Sequence, residues 1–466
     1  MIEFDPGSFK DPAGRVFLHG HLACRTLSPS AHSHFEHAQR AGLIDRLVGD
    51  GLLLETSLVA AATLGLDARD TGDTVLVQPR VPLVTYPYEW SFEMLRDAAL
   101  VTLRALARAL AAGFVLKDAP AFNILFQGTR PRLVDAPSIE PYRDGQVWTG
   151  YGQFCRAFLY PLLLAAYRDF RVQWLMRGYF GELPASEAAK LFGWRDYLRP
   201  GVFKDVILPA RLDRAFAGQQ AQVRQTTASQ HYPRTLFAAN IDRLTRLVES
   251  LPAPPQTTEW SRYDTFQSYD TADRAAKRAF VERVLQSSAM QRVVDLGANI
   301  GEYSDVAARH TAHVVALDID PRAIDRLYRT HADQPALTPL VASLLNTTPA
   351  IGWALRERAS LLERIRCDGF LALALIHHLR ITGNVPLDAI VAQLLQIAPE
   401  GVIEWVDKRD AMVMRMLSLR DDVYDDYTWP SFEAALTRRG DIVSIEDTHG
   451  GTRRLCHVRA RRAPGA

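Results

Sequence analysis

The stretch Val293-Val294-Asp295-Leu296-Gly297-Ala298-Asn299-Ile300-Gly301, with a second apolar run downstream, Val314-Val315-Ala316-Leu317, that closes on Asp318, decides how this chain folds. A short apolar run that breaks into a glycine-rich turn reads as a buried strand entering a loop whose backbone can approach a ligand closely, because glycine tolerates positive φ and carries no side chain. An acidic residue at the end of the next strand, roughly 20 residues on, accepts the hydroxyls of a ribose. The two strand ends together predict a nucleoside cofactor beyond the carboxyl edge of a parallel sheet.

The detail of the turn chooses among nucleosides. A dinucleotide site uses G-x-G-x-x-G, so that a pyrophosphate meets the free amides at a helix N-terminus. Here the pattern is D-x-G-x-x-x-G, and the leading Asp295 repels a pyrophosphate but suits a cationic ligand bearing an amino acid. The segment resembles the class I S-adenosylmethionine-dependent methyltransferases. That resemblance implies that Asp295, Gly297, Ala298, Asn299 and Gly301 back the methionine moiety, with Asp318 and its neighbour Ile319 at the ribose. Ser343 stands after the third strand, where related proteins often carry an Asp for the adenine amine, and a hydroxyl accepts that hydrogen bond less strongly. The glycine pattern by itself also fits a tight βα turn with no ligand. The helix-compatible Tyr303 to His310 and the helix start at Asp320-Pro321-Arg322 weigh toward the ligand site.

Composition narrows the partners. The chain has 466 residues, enough for two domains, and its 54 basic residues against 53 acidic ones leave a net charge of +1. No basic stripe points to nucleic acid. No apolar run approaches the roughly 20 residues that span a bilayer, and Met1 to Pro6 lacks an export signature, so a cytoplasmic protein is expected. Four dispersed cysteines, with no C-x-x-C pair, argue against a disulfide framework or zinc site.

A break in character falls at about 225–262, where the polar Gln225 to Gln230 precedes a helix-like Leu236 to Leu251 and the run Pro252-Ala253-Pro254-Pro255. Downstream, from 263 to 466, helices and strands alternate as in a mostly parallel sheet covered on both faces. Upstream, from 1 to 224, hairpin-like pieces precede a long amphipathic helix, Ser91 to Ala112, and an almost wholly helical tract. The expected fold is therefore α/β: a C-terminal Rossmann-like methyltransferase domain preceded by an α+β domain with a helical second lobe.

Methyl transfer from a sulfonium is an in-line displacement that needs positioning and, for a protonated acceptor, a base. His377 and His378 follow the fourth strand, and either titrates in the right range for a base. As loop residues they could equally shape the pocket. Glu404 at the end of the fifth strand needs a partner, which a substrate amine or a structural Arg would supply. Trp260 and Tyr263 stand where they could close over a cofactor or simply pack.

The upstream half holds a second constellation, Leu116-Lys117-Asp118-Ala119-Pro120-Ala121-Phe122-Asn123, followed by Arg132-Leu133-Val134-Asp135. A D-x-x-x-x-N loop and then a strand ending in Asp is the layout of a kinase catalytic loop with its metal-binding aspartate. The stretch looks like the protein-kinase and aminoglycoside-kinase fold. The likeness implies that Asp118 receives a hydroxyl proton, that Asn123 and Asp135 hold magnesium against ATP phosphates, and that Tyr86 to Trp90 is a hinge. The pattern departs from a working kinase. No lysine stands in the upstream strands, Gly14 to Gly20 is a poor glycine flap, and Asp135-Ala136-Pro137 replaces Asp-Phe-Gly. Arg25 is the candidate substitute for the lysine, and the reading favours a kinase-like module with lost or altered phosphoryl transfer.

Read whole, the chain resembles a bacterial family of methyltransferases related to host-specificity nodulation proteins. The shared segments are the loop Leu116 to Ala119, the stretch Tyr151-Gly152-Gln153-Phe154-Cys155 and the run Leu371 to Leu379. The resemblance implies methyl transfer to a small-molecule or saccharide-type acceptor, with the kinase-like half as recognition module. The alternatives are a bifunctional kinase-methyltransferase and a non-catalytic scaffold that binds the cofactor as a signal. No readable pattern encodes the acceptor or the oligomeric state.

Overall fold

A computed structural model describes residues 2–215, 232–255, 271–418 and 421–461. The polar stretch at 225–230 and the aromatics Trp260 and Tyr263 lie outside them. The chain divides into two compact units. The first gathers the described residues up to 255, apart from 128–130, together with Ala350–Arg358, and the second gathers the remainder.

The first unit opens with a four-stranded antiparallel sheet. The strands β1 (Val16–His19), β2 (Leu22–Arg25), β3 (Ser57–Ala60) and β4 (Thr74–Pro79) lie in the order β1-β2-β4-β3. Phe17, Cys24, Val75 and Val77 form its core. The helical stretch between β2 and β3 is broken in two, into α1 (Pro29–Arg40) and Leu43–Gly49, by Gly42 at φ +68°. The long helix α2 (Phe92–Ala111) follows, its apolar positions buried along most of its length. Next come the short strands β5 (Phe114–Leu116), β6 (Ile124–Gln127), β7 (Arg130–Leu133) and β8 (Ile139–Pro141), paired β5 with β8 and β6 with β7. Helices fill the region from Tyr151 to Ala215. The helix expected around Leu236 to Leu251 is α3 (Arg234–Glu249), which packs on α2. It belongs to the first unit, where the sequence had suggested a linker.

The second unit is one seven-stranded sheet. Its strands are β9 (Arg292–Leu296), β10 (His313–Asp318), β11 (Leu337–Val341), β12 (Gly369–Ala372), β13 (Glu400–Val406), β14 (Gly440–Thr448) and β15 (Arg453–Ala460). They lie in the order β11-β10-β9-β12-β13-β15-β14. The first five are parallel, and the β14–β15 hairpin adds antiparallel strands to the β13 edge. The runs Val293–Val294, Val314–Leu317 and Phe370–Ala372 in β9, β10 and β12 are apolar because both faces are covered. Helix α4 (Thr271–Ser287) covers one face, where Phe280, Val281 and Val284 meet Val293, Leu371 and Val402. Strand order reverses direction of travel between β9 and β12. The gap at such a switch point is where a doubly wound sheet seats its ligand.

Candidate functional site

The carboxyl ends of β9, β10 and β12 and the loop after β11 surround a cavity of about 270 Å³. Asp295, Gly297, Ala298, Asn299, Asp318, Ile319 and Ser343 all line it. Gly301 does not. It stands at φ +90° at the start of helix α5 (Glu302–Ala308), and a Cβ there would come within 2.8 Å of the Leu327 side chain. Gly301 is thus required by packing against the helix Pro321–Thr330 rather than by contact with a ligand.

The turn is held by its own amides. Gly297 N and Ala298 N both donate to Leu317 O at 2.8 and 2.9 Å, and Gly301 N donates to Ala298 O at 2.9 Å. Asn299, at φ +49°, donates its amide to Asp318 Oδ2 at 2.8 Å. The other carboxylate oxygen of Asp318 accepts the Asp320 amide at 2.8 Å. A carboxylate offers about four lone-pair sites, so acceptor capacity remains on Asp318 beyond these backbone amides. Burial pushes the Asp318 carboxyl up to about 6, while the amides of Asp320 and Asn299 pull it back. Asp295 is also raised to about 6 by burial, opposed by the Ser304 hydroxyl, which donates at 2.6 Å, and by the charge of Lys277.

The two histidines part company. His378 lines the cavity, whereas His377 is fully buried and neither of its ring nitrogens has a hydrogen-bond partner among the described residues. The rings lie 4.2 Å apart. Burial lowers His378 to about 4 and drives His377 well below its ordinary value, with the charge of His378 adding to the effect. Of the two candidate bases, the structure places only His378 at the cavity, and His377 is set apart from it by burial.

Glu404 is fully buried and does not line the cavity. Its Oε2 holds the Lys277 ammonium at 2.6 Å, and its Oε1 lies 3.5 Å from Arg453, which in turn pairs with Asp410 at 2.7 Å. Among the two partners the sequence left open for Glu404, the structure supplies structural cations, so contact with the acceptor passes to another residue. Lys277, on helix α4, does line the cavity, with its ammonium 4.7 Å from the centre of the Tyr303 ring. Sequence reasoning missed it, since a lone lysine inside an amphipathic helix carries no local signal.

No family model matches the chain. It is 35% identical over 452 residues to nodulation protein NoeA of Rhizobium meliloti (strain 1021), a match covering 96% of this chain and 94% of that protein. The chain belongs to the NoeA family. Among solved structures, this NoeA relative is similar to the N-methyltransferase NodS from Bradyrhizobium japonicum WM9 at 15% identity and a TM-score of 0.32, covering 41% of this chain and 99% of that one. It is also similar to the magnesium protoporphyrin IX methyltransferase ChlM from Synechocystis PCC 6803, solved with bound SAH, at 14% identity and a TM-score of 0.31, covering 44% and 96%.

In its first unit the chain brings Asp118, Asn123 and Asp135 together. Asn123 Nδ2 donates to Asp118 Oδ1 at 3.4 Å and to Asp135 Oδ2 at 3.1 Å. Arg25, at the end of β2, pairs with Asp135 at 2.5 Å and also with Asp11. Burial pushes the Asp118 carboxyl up to about 6, helped by the negative charge of Asp135 and opposed by Lys117 and Arg25. No group of three or more His, Cys, Asp or Glu side chains among the described residues could hold a metal ion. Nor is any described helix long and apolar enough to cross a membrane.

Proposed function

We propose that the second unit binds S-adenosylmethionine and transfers its methyl group to a small-molecule or saccharide-type acceptor, and that the first unit serves recognition. The observation that carries this reading is the convergence of Asp295, the Gly297 turn and Asp318 on one cavity at the switch point of the sheet. The amides of Gly297, Ala298, Asn299 and Gly301 are committed within the protein, which leaves the turn a poor seat for a pyrophosphate. Two carboxylates beside it favour a ligand with positive charge, and the remaining lone pairs of Asp318 suit a ribose diol. When bound, the sulfonium supplies an activated methyl carbon. The chain's own residues orient that carbon, hold the nucleoside and exclude water.

Titration calorimetry with S-adenosylmethionine tests the reading directly. Binding is expected in the wild type and absent in Gly297→Arg, whose side chain would fill the cavity beside Leu375. No heat from the wild type would overturn the assignment.

The same carboxylates set a pH dependence. The folded protein keeps protons on Asp295 and Asp318 up to about 6, protons that the unfolded chain has released, so both groups count against the fold as pH rises through the range from ordinary carboxylate values to about 6. A cationic ligand selects the ionised forms. Affinity for S-adenosylmethionine is therefore expected to fall as pH drops below about 6, by up to about tenfold per unit for each proton taken up. A dissociation constant unchanged between pH 7 and pH 5 would contradict it.

A second reading, phosphoryl transfer in the first unit, is favoured by the meeting of Asp118, Asn123 and Asp135. Against it, Asp135 is already paired with Arg25, a guanidinium it shares with Asp11. Under the recognition reading, ATP with magnesium gives no binding heat. Tight ATP binding that disappears in Asp135→Ala would establish the kinase instead.

A further inference from the structure

The polar side chains that line or back the cavity form a sequence across the sheet. Asp318 ends β10, Asp295 belongs to β9, and Glu404 belongs to β13, which β12 separates from β9. Asp295 is level with Leu371 and Leu371 with Val402, so Glu404 lies two strands over from Asp295 and two residues further along, about 12 Å away by strand spacing and rise, on the side away from the ribose-binding end. Lys277 is clamped there, its ammonium held between Glu404 and the Tyr303 ring while its side chain lines the cavity. A group arriving at this end of the cavity meets an ammonium already oriented by the protein through its pairing with Glu404. An anionic oxygen accepts a charge-assisted hydrogen bond from an ammonium, whereas a protonated amine has no lone pair to accept one.

From this juxtaposition we propose, building on the cofactor reading above, that the methyl acceptor is a carboxylate, seated by Lys277, and that the product is a methyl ester. The step balances without a base. A carboxylate oxygen lone pair forms the new bond to the methyl carbon, the carbon–sulfur bond breaks, and its electron pair returns to sulfur, so that the anion and the sulfonium cation become a neutral ester and a neutral thioether. No proton is moved. That requirement fits a site in which Glu404 is committed to Lys277 and Arg453.

The test uses the full chain loaded with S-adenosylhomocysteine, with glucuronate and glucosamine as probes in titration calorimetry. Glucuronate is expected to bind and glucosamine not. Lys277→Gln is expected to weaken glucuronate by about tenfold or more, the loss of one charge-assisted contact, while S-adenosylhomocysteine affinity changes less than about twofold. Lys277→Arg is expected to restore the probe. The double variant Lys277→Met/Glu404→Gln removes both buried charges together and serves where the single variant fails to fold. With S-adenosylmethionine labelled in the methyl group, label on glucuronate is expected to be released as methanol by mild alkali. Failure of glucuronate to bind, equal binding in Lys277→Gln, preference for glucosamine, or alkali-stable label would each overturn the carboxylate proposal. Loss of S-adenosylhomocysteine affinity in Lys277→Gln would do so too, by placing the lysine on the cofactor. If the wild type binds no S-adenosylhomocysteine at all, it is the cofactor reading that fails.

Discussion

Asp318→Ala is expected to weaken S-adenosylmethionine binding by about a hundredfold. Two hydrogen bonds from ribose hydroxyls to a charged acceptor contribute roughly 1.5 kcal/mol each at the low end, and about 3 kcal/mol is about two decades in affinity. The substitution also strands the amides of Asn299 and Asp320, each of which donates to Asp318 at 2.8 Å, and so loosens the turn that shapes the cavity. Asp318→Asn separates the two effects, since it keeps one acceptor oxygen and is expected to lose less. Calorimetry measures the affinities, and circular dichroism checks that each variant is folded. Wild-type affinity in Asp318→Ala would remove the ribose from this strand end.

The largest effect on stability is expected from Glu404→Ala. The Glu404 carboxylate, with no exposed surface, sits between Lys277 and Arg453, whose side chains are 6% and 4% exposed. Removing one member of a buried ionic set leaves the other charges uncompensated, at a cost of about 3–5 kcal/mol. In a domain of this size that corresponds to a fall in melting temperature of about 10 °C. Glu404→Gln keeps two hydrogen-bonding atoms and is expected to lose less. Thermal unfolding followed by circular dichroism decides the matter, and a melting temperature within a degree or two of the wild type would show that the cluster is not a structural keystone.

What could be read from the sequence was what is local. Strands β9 and β10, the turn between Leu296 and Gly301, and the helix start at Asp320-Pro321 are each specified within a few residues, by apolar runs, glycine and a capping carboxylate whose Oδ1 accepts the Arg322 amide at 3.0 Å. The Asp318 end of the cavity follows from them directly. The Lys277 end does not, because its members come from distant points of the chain. Lys277 reaches Glu404 across 127 positions, and Arg453 is 49 further on. Glu404 did announce itself as a carboxylate in an apolar strand, but nothing near it named its partner. His377 and His378 show a different limit. Adjacent residues after a strand end leave in different directions, and the sequence does not say which one meets the cavity. Burial, which sets their protonation, is a property of the whole fold. The association of Ala350–Arg358 with the first unit is equally non-local, since it rests on contacts such as the Arg358 guanidinium lying 4.2 Å from the centre of the Phe122 ring.

Strand β15 follows every other strand of its sheet in the chain yet lies inside it, bonded to β13 on one side and β14 on the other. It also brings Arg453, the residue that ties Glu404 to Asp410. During synthesis on a ribosome, β13 therefore waits with an open edge and Glu404 with one of its cations missing until this strand has emerged. The turn at Gly297 is made early, but the cluster of Lys277, Glu404, Arg453 and Asp410 is finished last, so a nascent chain completes one end of the cavity's surroundings well before the other.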